Sequence, residues 1–235
     1  MSSRLPLLTL LVTVLQCTPK ERATAGHEQS SDPQHRTEAA AARRIARPRT
    51  AHLAHLDVGQ WTRHRVSSSG GRSDTLTFKV VGREQQAYWI EIVTGAANAG
   101  TVLGLLVEPG LRSKPDDMTL LAARVKMPNG ATKDLRGRQL QISRSGYLKV
   151  LEPLVVPDLQ GRPQQSQTVP SGSFEGCYRY QRPLSFGALD DEATVWVHPS
   201  VPITGLVKAV DKTQITKVEL LDFGLSGAKT SMPRR

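Results

Sequence analysis

The stretch Thr194-Val-Trp-Val-His-Pro-Ser-Val-Pro-Ile-Thr-Gly-Leu-Val-Lys208 decides the fold class. Val195 and Val197 fall on one side of an extended segment and Thr194, Trp196 and His198 on the other, because successive strand side chains point to opposite faces. Pro199 and Pro202 have no N–H to donate, so the ladder is expected to break there and to resume at Gly205. The same alternation recurs upstream. In Thr75 to Val81, Leu76, Phe78 and Val80 face one way and Thr75, Thr77 and Lys79 the other. Gly82 to Gln86 then reads as a short polar connection to Tyr88-Trp-Ile-Glu-Ile-Val93, which makes an antiparallel hairpin the economical arrangement.

Further strands are expected over Thr101 to Val107, Phe174 to Tyr180, Gly205 to Val210 and Ile215 to Phe223. The folded part starts near Asp57-Val-Gly-Gln-Trp61, where Trp61, Arg63 and Arg65 share one face and Thr62, His64 and Val66 the other. Lys114-Pro-Asp-Asp117 has the residues to begin a helix, while Met118 to Met127 suits a strand equally well. A short helix is expected at Tyr147 to Leu151, and Leu159 to Ser173 reads as a loop rich in proline, glutamine and glycine.

Composition sets the outer limits. The 235 residues are 38% hydrophobic and 22% charged, with 15 prolines and 19 glycines, which fits a turn-rich globular chain. Lys plus Arg is 31 against 21 Asp plus Glu, a formal net charge of +10 that favours polyanionic surfaces. These basic residues are dispersed along the chain. Backbone binding of nucleic acid needs them on one stripe, so nucleic acid is not the expected partner.

At the N-terminus, Arg4 precedes an apolar run from Leu5 to Leu15, interrupted by Pro6, Thr9 and Thr13. That is too short for a membrane-spanning helix and the right size for a secretory signal. The run ends in Val14-Leu15-Gln16-Cys17, which resembles the lipobox of bacterial lipoproteins, with Leu15 and Gln16 in place of the usual small residues. The resemblance implies a lipid attached to Cys17 and an anchor on the periplasmic face of a membrane. Ordinary signal cleavage after Ala23-Thr-Ala25, giving a secreted protein, is the alternative. Residues 1–17 are therefore read as the signal, 18–56 as a basic disordered linker whose Thr18 to Arg49 part holds almost no large apolar residue apart from Ile45, and 57–235 as the β-rich domain.

Cys177 is the other cysteine, so neither a disulfide framework nor a four-cysteine zinc site is available. Its setting suits a small buried hydrophobe. His52 and His55 share a helical spacing but lack a third ligand nearby, and no metal or other cofactor is expected. Gly95-Ala-Ala-Asn-Ala-Gly-Thr101 lacks the lysine of a phosphate loop, and Ser226 lacks the glycine spacing of a nucleophile elbow. No catalytic constellation emerges. A hydrolase built on His198, Cys177 and a carboxylate would need the three to meet in space.

Gly59-Gln-Trp61, Tyr88-Trp-Ile-Glu91, Ser171-Gly-Ser-Phe174, Trp196-Val through Val201-Pro to Gly205-Leu-Val-Lys208, and Glu219-Leu-Leu-Asp-Phe-Gly224 occur in an order similar to that of uncharacterised bacterial envelope lipoproteins. Those in turn resemble the periplasmic lipoprotein carriers and receptors of the Lol system. The resemblance implies a mainly β, α+β fold: one curved antiparallel sheet forming an open half-barrel with one or two short helices. It also implies a non-catalytic protein that binds an acyl or other lipid ligand, or a partner lipoprotein. The expected lining is Trp89, Leu103, Leu105, Val107 and Trp196. A structural lipoprotein with a filled core and no ligand is the contrasting expectation. The anchor reading predicts that the mature protein carries a lipid-sized mass increment at its N-terminus which Cys17→Ala abolishes; intact-mass spectrometry of both proteins checks it.

Overall fold

The computed structural model describes residues 44–45, 53, 55–95, 100–186 and 189–233. Cys17, the signal and most of the expected linker lie outside them. Twelve strands occur among the described residues: β1 Arg44–Ile45, β2 Trp61–Ser68, β3 Ser73–Glu84, β4 Ala87–Thr94, β5 Val102–Glu108 and β6 Thr119–Lys126, then β7 Thr132–Leu135, β8 Gln164–Val169, β9 Gly172–Phe186, β10 Leu189–Val197, β11 Leu206–Asp211 and β12 Thr216–Gly224. One helix, α1, spans Gly137–Val150, and single 3-10 turns occupy Pro115–Asp117 and Glu152–Leu154.

The strands form one sheet in the order β1-β9-β10-β11-β12-β2-β3-β4-β5-β6-β7, with β8 also paired to β9. Neighbours run antiparallel except β1 and β9. Its two ends do not meet, so the sheet is open. One apolar cluster takes residues from β2 to β6, from β9 to β12 and from α1, which requires the sheet to curl around a shared interior. Register shifts between Val80 and Gly82, Leu106 and Val107, Trp196 and Val197, and Leu220 and Asp222 add the local bending that such curvature needs.

The two-residue period explains which side chains make the core. Val195 and Val197 are 1% and 3% exposed, and β10 ends at Val197 before the two prolines, as the sequence predicts. Thr62, His64 and Val66 point inward from β2, and Leu76, Phe78 and Val80 from β3. The hairpin between β3 and β4 turns at Gln85, which takes a positive φ of 53°. Met118 to Met127 resolves as a strand, β6. Leu53, in the stretch read as linker, is 2% exposed and belongs to the core, and its amide bonds the Pro199 carbonyl at 3.2 Å.

Two elements differ from expectation. The helix covers Gly137–Val150 rather than Tyr147 to Leu151, because just Leu140, Gly146 and Tyr147 of its residues are buried. Such a sparse inward set leaves no apolar stripe to read. The expected loop contains β8, in which Gln164, Gln165 and Ser166 are exposed while Gln167 and Val169 are buried.

The chain's last segment crosses the sheet on the face away from the core. The Ala228 amide bonds the Gly59 carbonyl at 2.8 Å, and Lys79 reaches Ser231 Oγ at 2.7 Å. Buried Glu91 accepts from the Thr230 hydroxyl and from the Ser231 amide at 2.7 Å. Met232 then packs on Val93 and Val102.

Gly205 closes the central turn with φ +66°, and a Cβ there would meet Val197 Cγ1 at 2.7 Å and Leu53 Cδ1 at 2.8 Å. Both strain and overpacking oppose a side chain. Gly205→Ala is expected to lose about 2–4 kcal/mol of unfolding free energy, measured by urea denaturation against the parent protein.

Candidate functional site

The expected lining residues divide between the two faces of the sheet. Leu103, Leu105 and Val107 alternate along β5 with exposures of 6%, 0% and 0%, and all three belong to the interior cluster. Trp89 and Trp196 lie on the opposite face. On β4, Ile90 and Ile92 point inward, so Trp89 points out, packing on Ala87, Leu106 and Ala122. On β10, Val195 and Val197 point inward, so Trp196 stands outside with Thr194. A single cavity therefore has the β5 residues available to it but not the two tryptophans.

The interior is closed by α1, the turn Glu152–Leu154 and the segment that follows it. Leu140, Tyr147, Leu151, Leu154 and Val155 all join the interior cluster. A void of about 10 Å³ remains between Pro153 and the β9 and β10 wall, bordered by Tyr180, Leu184, Val195, Val197 and Leu206. That is room for about one water.

Two arginines hold this cover in place. Arg112, 3% exposed, donates Nε to the Leu154 carbonyl at 2.8 Å, Nη1 to Leu53 at 3.2 Å and Nη2 to Ile203 at 2.5 Å. Its own carbonyl accepts from the Val156 amide at 2.7 Å, and its φ of 55° is left-handed. Burial pulls its pKa down to about 10, which still leaves it charged at neutral pH. Arg182 Nη2 donates to the Glu152 carbonyl at 2.6 Å. Neither residue stands out in the sequence. Arg112 follows a Pro-Gly turn, where an arginine is ordinarily solvated.

On the outer face each tryptophan meets cations. Arg124 lies 5.6 Å from the Trp89 ring centroid and also pairs with Asp134 at 2.7 Å. The Trp89 indole N–H donates to Glu84 at 2.7 Å. Around Trp196, Lys208 and Arg179 lie 5.2 and 5.8 Å from the ring centroid, and the indole N–H donates to Gln165 Oε1 at 3.0 Å. Trp196 also packs on a second cluster made by Val169, Phe174, Cys177, Val201, Val207 and Leu220.

His198, Ser200 and Cys177 lie around Phe174. His198 is fully buried, its Nδ1 shared with the Ser200 hydroxyl and its Nε2 donating to the Glu175 carbonyl at 3.1 Å. These bonds brace the two-proline turn. The Cys177 thiol donates to the Phe174 carbonyl at 3.8 Å, and burial pushes its pKa up to about 12, away from the thiolate that attack requires. Among the described residues, no group of three or more His, Cys, Asp or Glu could hold a metal ion. No described helix is long and apolar enough to cross a membrane.

No protein-family model matches this chain, and no curated protein matches it. Among solved structures it is similar to the hypothetical protein CT021 from Chlamydia trachomatis, at 11% identity and a TM-score of 0.43, over 78% of this chain and 95% of that one.

His64 is wholly buried, with Nε2 donating to the Leu206 carbonyl at 3.0 Å. Burial lowers its pKa from 6.5 to about 4. Between those values the unfolded chain binds the proton and the native protein does not, so stability is complete above pH 6.5 and falls as pH drops toward 4. The expected loss is about 3 kcal/mol, and denaturant titrations from pH 7 to pH 4 should show a shallower decline in His64→Gln.

Proposed function

We propose that this protein is a non-catalytic binding protein of the bacterial cell envelope. In this reading a lipid on Cys17 holds it at the membrane, and the inner face of its sheet takes up an acyl chain or similar apolar ligand. One observation carries the reading: a continuous apolar wall is covered by a single helix and a 3-10 turn instead of by a second sheet. Helix α1 contributes few buried residues, and Ile142 on its outer side is 76% exposed. The arginine bonds that fasten the layer go to backbone carbonyls, which would be re-solvated if it lifted.

Magnitudes favour exchange between cover and ligand. Leu140, Tyr147, Leu151 and Leu154 each contribute about 1.5–3 kcal/mol by burial, on the order of 10 kcal/mol together. An acyl chain gains about 0.8 kcal/mol per methylene, so roughly a dozen methylenes match the cover they displace. Leu103, Leu105 and Val107 would then become ligand contacts. The tryptophans on the outer face take no part in that site.

The filled interior supports the second reading, a structural lipoprotein that holds no ligand. Titrating the delipidated full chain with a fluorescent fatty-acyl probe separates the two. Carriage predicts uptake of one probe per chain, faster in Tyr147→Ala, where the cover is loosened. No uptake by either protein, with no lipid extractable from fresh preparations, would assign the structural role.

A further inference from the structure

The outer face of β9, β10 and β11 carries a trough of about 430 Å³, and we infer that it is a binding site for an anionic saccharide. Trp196 pairs directly with Arg179 on β9 and with Lys208 on β11, so three strands present a cation, an indole and a cation in one row. The indole is fixed by its bond to Gln165 and by packing beneath it, and it fixes the two cations in turn. Unlike mobile surface lysines, these charges are held in place before any ligand arrives.

The cations are also unmatched. The carboxylate next in the row beyond Lys208 is Glu219, which is taken by Arg65 at 2.8 Å and Lys217 at 2.6 Å. Arg63 faces Asp222, and Arg124 pairs with Asp134. Among the described residues no carboxylate pairs with Arg179 or Lys208. Asp211, at the far end of the trough, commits Oδ2 to the Thr213 hydroxyl and the Thr216 amide, which closes the β11–β12 turn. Two preorganised cations without an acidic partner fit a carboxylate or phosphate group.

The remainder of the trough decides between anions. Beyond the cations it is lined by Gln181, Thr194, Glu192, Lys212 and Gln214, a mixture of donors and acceptors suited to hydroxyl groups. A bare anion has no use for that length. A nucleic-acid strand would meet Glu192 and Asp211 where its phosphates need cations. A sugar bearing an acidic group satisfies both halves: its anion lies on Arg179 and Lys208 and its hydroxyls along the amides. This site is on the face opposite the apolar interior and is independent of acyl binding.

Calorimetric titration of the full chain at low salt with tetragalacturonate, maltotetraose, inorganic phosphate and phosphatidylglycerol vesicles tests the assignment. Tetragalacturonate is expected to bind and maltotetraose not to. Arg179→Gln or Lys208→Gln should each weaken binding about tenfold, while Arg138→Gln, which removes a charge from exposed helix surface, should leave it unchanged. Arg138 and Arg179 are exposed and Lys208 is half-buried on the outer face, so an unchanged denaturation midpoint verifies folding of each variant. Failure of the parent protein to bind tetragalacturonate, or binding by Arg179→Gln and Lys208→Gln as tight as that of the parent, would overturn the site. Phosphate binding as tightly as the oligosaccharide would overturn the saccharide class in favour of a simple anion. Vesicle binding through the same two residues without oligosaccharide binding would assign the trough to lipid headgroups instead.

Discussion

The Arg112 guanidinium is the fastening on which the packing of the cover over the interior depends. It draws three carbonyls from distant parts of the chain, at Leu53, Leu154 and Ile203, onto one planar group. Those segments are the approach to the first long strand, the cover over the interior and the turn between β10 and β11. A charge in that position is tolerated because each of its bonds is charge-assisted and each carbonyl would otherwise be buried without a donor.

Most of the sheet was legible because its strands follow a strict two-residue period over a shared core. Val195 and Val197 lie inside as their alternation requires, and so do Leu76, Phe78 and Val80, with Leu103, Leu105 and Val107 in the same interior cluster. Prolines and glycines marked the breaks for reasons of backbone chemistry alone. Helix α1 was less legible because Leu140 and Tyr147 are its two large buried side chains, separated by two turns. Strand β8 gave no apolar signal, since β-pairing with β9 supplies its order and most of its side chains are solvated.

The site was readable in part. Alternation alone places Trp196 opposite Val195 and Val197, and Trp89 opposite Ile90. The tryptophans share apolar character with Leu105 but lie at the opposite strand parity, which puts them on the other face. The Arg179, Trp196 and Lys208 row depends on the register of three strands, and a shift of one residue in any of them would separate it. Arg112 is a lone arginine after a turn until the folded chain brings three carbonyls to it. Local sequence carries neither kind of information.

The pairing of β12 with β2 has a consequence for the timing of folding. The sheet order places the first long strand beside the last, with Thr216 opposite Ser68 and Val218 opposite Val66. That pairing forms only after β12 has been made, and the segment that follows it, which caps Glu91, comes later still. Closing a loop of that length also makes the pairing slow. The strands β2 to β7 and β9 to β12 are each consecutive in sequence, so the seam between β12 and β2 is the long-range step that makes two local meanders one sheet.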